Sequence, residues 1–202
     1  MVEWLIAKRK DDVRYSLAKT LHDAKIQDRF DIILIDAPPR LTTGSVQAFC
    51  AATHVLVPTI LDGMSAEATG GFVEQLATNN ALWPHIKLLG AFGNMTEMLV
   101  ADFDGAVIDG RLRQFEADAL TSVGDTIQAA LEKAGPSLRA FREQPVFPEE
   151  CFIPNKVEPG NQAGSRIAYQ VAGGSLPTQQ ISRAFDRLGD EIDRRILATT
   201  KG

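Results

Sequence analysis

The stretch of sequence that decides the fold is Asp31-Ile32-Ile33-Leu34-Ile35-Asp36-Ala37-Pro38-Pro39. Its centre, Ile32 to Ile35, is an uninterrupted and mostly β-branched apolar run with an acidic residue on each side. Such a run is typical of a strand that is buried on both faces of a parallel sheet. Pro38 and Pro39 end the strand because proline has no backbone N–H. The pattern therefore predicts a short buried strand that carries Asp36 at its carboxyl end.

Two further apolar runs repeat this pattern downstream. The first, His54 to Val57, ends at Pro58, and the second, Ile86 to Phe92, ends at a Gly-Asn pair. A helix capped by Ser65 is predicted between them. Strands that alternate with helices favour right-handed crossovers and parallel pairing. The predicted fold class is therefore α/β, with a mostly parallel sheet flanked by helices.

Three more helices are predicted from apolar residues at intervals of three and four. They cover residues 12–24, residues 111–133 before the stop signal Gly135-Pro136, and a closing segment from Ile181 to Ile196. Residues 144–174 are rich in Pro, Gly and Asn, which predicts an ordered loop with one short strand. With 202 residues and a 45% hydrophobic composition, the chain is expected to form a single domain.

The bulk composition restricts the location and the partners of the chain. A formal net charge of −5 argues against a broadly basic surface for nucleic acid. No apolar run approaches the roughly 20 residues of a membrane span, and the first residues lack a signal-peptide core. A cytoplasmic protein without a membrane span is therefore expected. Cys50 and Cys151 lie far apart in the sequence, so neither a zinc site nor a disulfide framework is predicted.

Asp36 is the predicted metal ligand. Ligands of open α/β sheets bind at the carboxyl ends of the strands, where this carboxylate is expected. Mg²⁺ favours a few carboxylate oxygens together with waters and phosphates, so Asp36 suits a nucleotide-bound Mg²⁺. The structural alternative is a helix cap or a turn acid after a buried strand. Asp31, at the other end of the strand, is expected to be solvated.

The segment from Asp31 to Pro39 resembles the Walker B segment of the ParA/MinD superfamily of deviant Walker ATPases. Residues 51–59 resemble the next helix end and strand of that family, and residues 152–155 resemble a loop that comes late in ParA proteins. The family's order of segments is kept from about Arg14 to Ile196. The resemblance implies a P-loop NTPase-like fold that is incomplete at its N-terminus.

The resemblance also implies a nucleotide site. Asp36 would be the Walker B acid that organises Mg²⁺, and Asn94, after the strand from Ile86 to Phe92, would lie near the base. Pro154 and Asn155 would line the same pocket. The implied cofactors are ATP and Mg²⁺, and no residue of this chain is predicted to be catalytic.

The phosphate-binding loop that the family requires has no counterpart in the sequence. Such a loop opens a helix with Gly-Lys-Ser/Thr, whose backbone amides and lysine hold the phosphates. None of the eight lysines follows a glycine. We therefore expect residues 1–202 to be a truncated NTPase domain that is inactive alone. A natural loss, an expression fragment and a gene-model artefact are alternative origins.

The function implied by the resemblance is that of a ParA-like partition ATPase in bacterial plasmid or chromosome segregation. Such a protein would form a homodimer around ATP·Mg²⁺, bind DNA non-specifically and act with a ParB-like partner near the nucleoid. The first alternative is a non-catalytic α/β interaction domain that binds a partner through the surface left by the absent strand. A more distant alternative is a cell-division-site, nitrogenase-reductase-like or cobyrinate-amidase relative.

Arginines of the closing helix are the candidates for contact with DNA phosphates. They are Arg183, Arg187, Arg194 and Arg195. Four acidic residues lie between the first and the last of them. A solvated face of mixed charge is therefore the favoured interpretation of this helix.

Overall fold

A computed structural model describes residues 12–38, 42–97, 111–155 and 176–200 of the chain. The helices are α1 (Ser16–Asp23), α2 (Thr43–Ala51), α3 (Gly63–Thr78), α4 (Gln114–Ala134) and α5 (Leu176–Thr200). The strands are β1 (His54–Thr59), β2 (Lys87–Thr96), β3 (Arg139–Ala140) and β4 (Ile153–Pro154). Single turns of 3-10 helix occur at Val13–Tyr15, Ile26–Asp28, Asn80–Leu82, Gly135–Ser137 and Glu149–Cys151.

The pairings between the described strands are all parallel, as the alternation of strands and helices predicts. β1 lies beside β2, with His54 opposite Lys87 and Thr59 opposite Gly93. β2 also pairs with β3 near its start and with β4 near its end. β2 is therefore the central strand, and β1 lies at an edge of the described sheet.

Alternate residues of the strands enter two hydrophobic clusters, because successive side chains point to opposite faces of a sheet. The first cluster joins Val55 and Leu88 to the buried faces of α2, α3 and α4. The second joins Leu89 and Phe92 to Leu188 of α5. Helices therefore flank both faces of the sheet, which confirms the predicted α/β fold class.

The prediction of a strand at Ile32 to Ile35 is wrong. This segment has no regular secondary structure. Ile32 is 55% exposed and Leu34 is 88% exposed. A strand buried on both faces needs hydrogen-bonded neighbours and covering layers. None of the four described strands pairs with this segment, so its local β propensity has no sheet to join.

The other two predicted strands are confirmed, and both are longer than predicted. β1 continues through Pro58 to Thr59. Proline is tolerated there because β1 is an edge strand, where one side of the ladder needs no N–H. β2 continues to Thr96, so Asn94 lies within the strand and not after it.

The predicted helices are confirmed as α1, α3, α4 and α5, with small changes at their ends. α3 begins at Gly63, and its N-cap is Asp62 and not Ser65. α4 ends at the predicted stop, where Gly135 has a φ of 57°. The short strand predicted in the late loop is β4, while residues 156–174 of that loop lie outside the described residues. Within the described ranges, no helix combines the length and apolar character that crossing a membrane requires.

A glycine sets the distance between α3 and α4. A Cβ atom at Gly70 would lie 2.4 Å from Cγ2 of Thr126 on α4, which is far inside normal contact distance. The adjacent Gly71 is exposed, and a Cβ atom there would meet nothing within 4 Å. The close approach of the two helices therefore requires the first glycine and not the second.

Alanine at these two positions should have opposite effects on stability. Gly71→Ala should raise the free energy of unfolding by about 0.5–1 kcal/mol, because alanine is the better helix former. Gly70→Ala should lower it by about 1–3 kcal/mol, because the added methyl group overpacks the helix contact. Urea denaturation followed by circular dichroism measures both changes. An equal gain in the two variants would show that the contact does not need a glycine.

Candidate functional site

Three predicted site residues meet at the carboxyl end of β2. Asn94 lies opposite Ile153, and Thr96 lies opposite Pro154, in the pairing of β2 with β4. The backbone N–H of Asn155 donates to the carbonyl oxygen of Thr96 at 2.8 Å. Asn94 is half-buried, Pro154 is buried and Asn155 is exposed. These residues therefore occupy the edge at which ligands of parallel sheets bind.

Close packing against β2 positions β4. Phe152, directly before β4, is 1% exposed and packs on the backbone of Gly93. A Cβ atom at Gly93 would lie 2.6 Å from Cδ2 of the Phe152 ring. Only glycine therefore allows the ring, and with it β4, to lie this close to the central strand.

A buried arginine of α5 holds the loop that leads to β4. Arg195 is 0% exposed. Its Nη1 donates to the carbonyl oxygens of Leu89 and Gln144, each at 2.7 Å, and its Nη2 donates to that of Val146 at 3.1 Å. Its guanidinium carbon lies 3.9 Å from the centroid of the Phe147 ring. One side chain therefore joins the last helix, the central strand and the loop.

The approach of this arginine to β2 depends on a second glycine. Gly90 has a φ of 124°, a conformation that side chains rarely adopt. A Cβ atom there would lie 2.7 Å from Nη1 of Arg195 and 2.5 Å from the carbonyl oxygen of Pro145. The central strand therefore carries a glycine where the guanidinium and the loop backbone both contact it.

Glu191 supplies the charge that balances Arg195. Its Oε1 accepts a hydrogen bond from Nε of Arg195 at 2.6 Å, and both of its oxygens accept from Arg194 at 2.6 Å. The hydrogen bonds from Arg194 lower the pKa of the Glu191 carboxyl, which keeps it ionised. Burial lowers the pKa of Arg195 because it penalises the charged form. The carboxylate and the three carbonyl oxygens offset that penalty.

These contacts correct part of the sequence interpretation of the closing helix. Arg195 does not lie on a solvated face, because it is fully buried. Arg194 uses its Nε and Nη2 in hydrogen bonds to Glu191. Two of the four arginines that were candidates for DNA contact are therefore engaged within the chain.

A buried carboxylate fixes the other side of the end of β2. Glu116 in the first turn of α4 is 2% exposed. It accepts hydrogen bonds from the backbone N–H of Glu97 at 2.6 Å and from that of Arg113 at 3.1 Å. Glu116 therefore joins the residue after β2 to the start of α4. An acid three residues after a helix cap position is the signal that could have found this residue.

A second carboxylate at this edge was also missed from the sequence. Asp62 follows β1, and its Oδ1 accepts a hydrogen bond from the backbone N–H of Ser65 at 2.7 Å. This hydrogen bond lowers the pKa of the Asp62 carboxyl. Aspartate three residues before serine at the start of an apolar helix is a cap signal. Asp62 therefore stays charged at the carboxyl end of β1.

The predicted metal ligand Asp36 is exposed and lies in the irregular segment that follows Ile32 to Ile35. It therefore does not sit at the end of a described strand. Within the described residues, no group of three or more His, Cys, Asp or Glu side chains could hold a metal ion. A nucleotide-bound Mg²⁺ needs fewer protein ligands, since phosphates and waters supply the rest. The metal role of Asp36 stays a prediction.

Two comparisons with known proteins indicate which family this chain resembles. A family model described as an AAA domain matches residues 3–83, which include Asp36, β1 and α3. Over 152 residues, the chain is 28% identical to the chromosome-partitioning ATPase Soj of Thermus thermophilus. These matches support a ParA/MinD-like family. The aligned region covers 75% of this chain and 56% of Soj, so the chain spans about half the length of that curated relative.

The described parallel sheet with helices on both faces is consistent with a P-loop NTPase-like fold. The two matches agree with the predicted resemblance to the ParA/MinD superfamily, while the Walker B assignment of the Asp31 to Pro39 segment stays a prediction. The roles of Asp36, Asn94, Pro154 and Asn155 in a nucleotide site stay predictions.

Replacement of Arg195 should lower the stability of this chain far more than replacement of its neighbour Arg194. Arg195→Met should lower the free energy of unfolding by about 3–5 kcal/mol, because it leaves buried carbonyl oxygens without a donor. Arg194→Met is the matched control, since that side chain is 51% exposed and binds the same carboxylate. Arg194→Met should lower the free energy of unfolding by at most about 1 kcal/mol. Equal losses in urea denaturation would contradict the anchoring role of Arg195.

Proposed function

We propose that this chain belongs to a ParA-like partition ATPase and carries the residues that contact the base of the bound nucleotide, which we call the base side of the site. The observation that supports this most is the pairing of β4 with the end of β2, which places Asn94, Pro154 and Asn155 together. Similarity to a chromosome-partitioning ATPase supports the same function.

The residues of the proposed site have distinct roles. The carboxamides of Asn94 and Asn155 would donate to and accept from the edge of the base. Pro154 would line the pocket. Asp36 would hold Mg²⁺ beside the phosphates, where the metal neutralises phosphate charge and orients the polyphosphate.

Tight binding of the phosphates requires groups that this sequence does not contain. A Gly-Lys-Ser/Thr loop would supply backbone amides and a lysine to the phosphates. ATP hydrolysis is therefore proposed for the whole ParA-like protein and not for these residues alone. The same holds for dimerisation around ATP, non-specific DNA binding, a ParB-like partner and a cytoplasmic location near the nucleoid.

Magnesium dependence of ATP binding tests the role of Asp36. We expect the purified chain to bind ATP with a Kd of about 1 mM and to bind it about tenfold more weakly in EDTA. Asp36→Ala should abolish the effect of Mg²⁺, because the carboxylate that holds the metal is gone. Asn94→Ala should weaken binding equally with and without Mg²⁺, because a base contact is independent of the metal. Titration calorimetry measures each affinity.

Asp31→Ala is the matched control for Asp36→Ala. Both are exposed aspartates at the ends of one short segment, and only Asp36 is assigned a ligand. The control should keep the full effect of Mg²⁺. Loss of the effect in both variants would indicate general electrostatics, and loss in neither would exclude Asp36 as the metal ligand.

A second candidate function is that of a non-catalytic interaction domain. It is favoured by the exposure of Ile32 and Leu34 together with the position of β1 at an edge of the described sheet. Exposed edge strands and apolar segments are the surfaces to which another polypeptide adds a strand. In this function, the α/β shell would present that surface to a partner protein.

Charge substitution in the exposed segment tests the second candidate. An exposed edge with apolar residues also pairs with a second copy of the same chain, so the chain should associate at high concentration. Leu34→Glu should abolish this association by placing a charge in the contact. Leu197→Glu is the matched control, because this leucine of α5 is also exposed, at 60%. Light scattering coupled to size-exclusion chromatography reports the mass. Equal association of both variants and the parent chain would exclude Leu34 from any contact.

A further inference from the structure

Met95 has a backbone conformation that is unusual for its place in the fold. It lies within β2 at a φ of 56°, in the left-handed region that residues other than glycine rarely adopt. Lys25 is the other described non-glycine residue with positive φ. It lies just beyond the end of α1, where this conformation is common. Met95 is the second-last residue of β2, so no helix end accounts for its conformation.

The conformation arises from a β-bulge between β2 and β4. Asn94 pairs with Ile153, and Thr96 pairs with the next residue, Pro154, so Met95 is the extra residue of β2. A bulge redirects the extra side chain, and bulges are frequent beside binding sites. Backbone strain of this kind persists where the surrounding structure imposes it.

The side chain of Met95 does not contribute to the described core. It is 52% exposed and belongs to neither of the two hydrophobic clusters. Core packing therefore does not explain why a strained position carries a large apolar side chain. A glycine would adopt the same backbone without strain.

The neighbours of Met95 restrict the chemistry of a ligand at this position. Asn94 precedes it in β2, and Asn155 is tied to Thr96 on its other side. Each carboxamide offers both donors and an acceptor. An apolar surface between amide groups suits a planar heterocycle, whose edge forms hydrogen bonds while its face lies on the apolar surface. The thioether of methionine makes favourable contacts with aromatic rings.

We infer that Met95 is a specificity-determining residue whose side chain forms the apolar platform for the base of a bound purine nucleotide. The inference rests on the proposed nucleotide-binding function. It adds a contact to the base that the resemblance to the ParA/MinD superfamily does not assign. In this arrangement, the bulge turns Met95 toward the ligand edge of the sheet. Asn94 and Asn155 then contact the edge of the same base.

Methyl NMR tests this contact directly on the purified chain. The four methionines are labelled with carbon-13 at the methyl group, and the signals of Met95 and Met64 are assigned from Met95→Leu and Met64→Leu. Met64 is the internal control, since it is 83% exposed in the first turn of α3. Adenosine should move the Met95 signal upfield through the ring current of the base. Tripolyphosphate, which has no base, should leave it unchanged.

The outcomes separate this inference from the proposed function. If Mg·ATP binds with an Asp36-dependent affinity but adenosine leaves the Met95 signal unmoved, the platform role of Met95 is wrong and the proposed function stands. If adenosine moves the Met64 signal as much as the Met95 signal, the contact is non-specific and the platform role of Met95 is also wrong. If no ligand binds in either experiment, both the platform role of Met95 and the proposed nucleotide site of this chain are wrong.

A glycine variant separates a binding role from a structural one. Met95→Gly should raise the melting temperature by about 1–4 °C, because it relieves the strained φ. It should also weaken adenosine binding about two- to tenfold, because the thioether contact is lost. Met95→Leu should keep most of the affinity, since it retains an apolar side chain. A more stable Met95→Gly variant with unchanged adenosine affinity would overturn the inference.

Discussion

The desolvated guanidinium of Arg195 is the interaction on which the arrangement of the later half of the chain depends. A buried charge is tolerated only with hydrogen-bond partners and a counter-charge. Here three backbone carbonyl oxygens and Glu191 provide them, and those carbonyls belong to β2 and to the loop before β4. The need to satisfy one cation therefore specifies how α5, the central strand and the loop fit together.

The carboxyl edge of the sheet follows from this arrangement. Gly90 leaves room for the guanidinium, and Gly93 leaves room for the Phe152 ring, so the loop lies directly against β2 and ends in β4. Where β4 meets β2, one residue of β2 has no partner, and that residue is Met95. Packing at one end of the loop is thus linked to a strained backbone and an exposed thioether at the other.

The proposed site divides into a base side and a phosphate side. The base side is built on β2 and β4, which are paired and packed, so its geometry is held by backbone hydrogen bonds. Asp36, the one predicted residue of the phosphate side, lies in a segment without a pairing partner among the described strands. A carboxylate is positioned only as well as the backbone that carries it. Backbone pairing therefore fixes the three predicted residues of the base side, whereas no described strand pairing fixes Asp36.

Local patterns in the sequence were enough to predict α1, α4 and α5, the stop at Gly135, and the strands β1 and β2, because apolar spacing and helix-terminating residues act over a few positions. The family resemblance was carried by one nine-residue segment, yet the same segment was wrongly predicted as a strand. Strand formation needs a hydrogen-bonding neighbour that is distant in sequence, and no local pattern reports whether it is present. For the same reason, the burial of Arg195 in a helix of alternating charge and the positive φ of Met95 were decided only by tertiary structure. Both depend on contacts with residues that lie about 50 to 105 positions away in the chain.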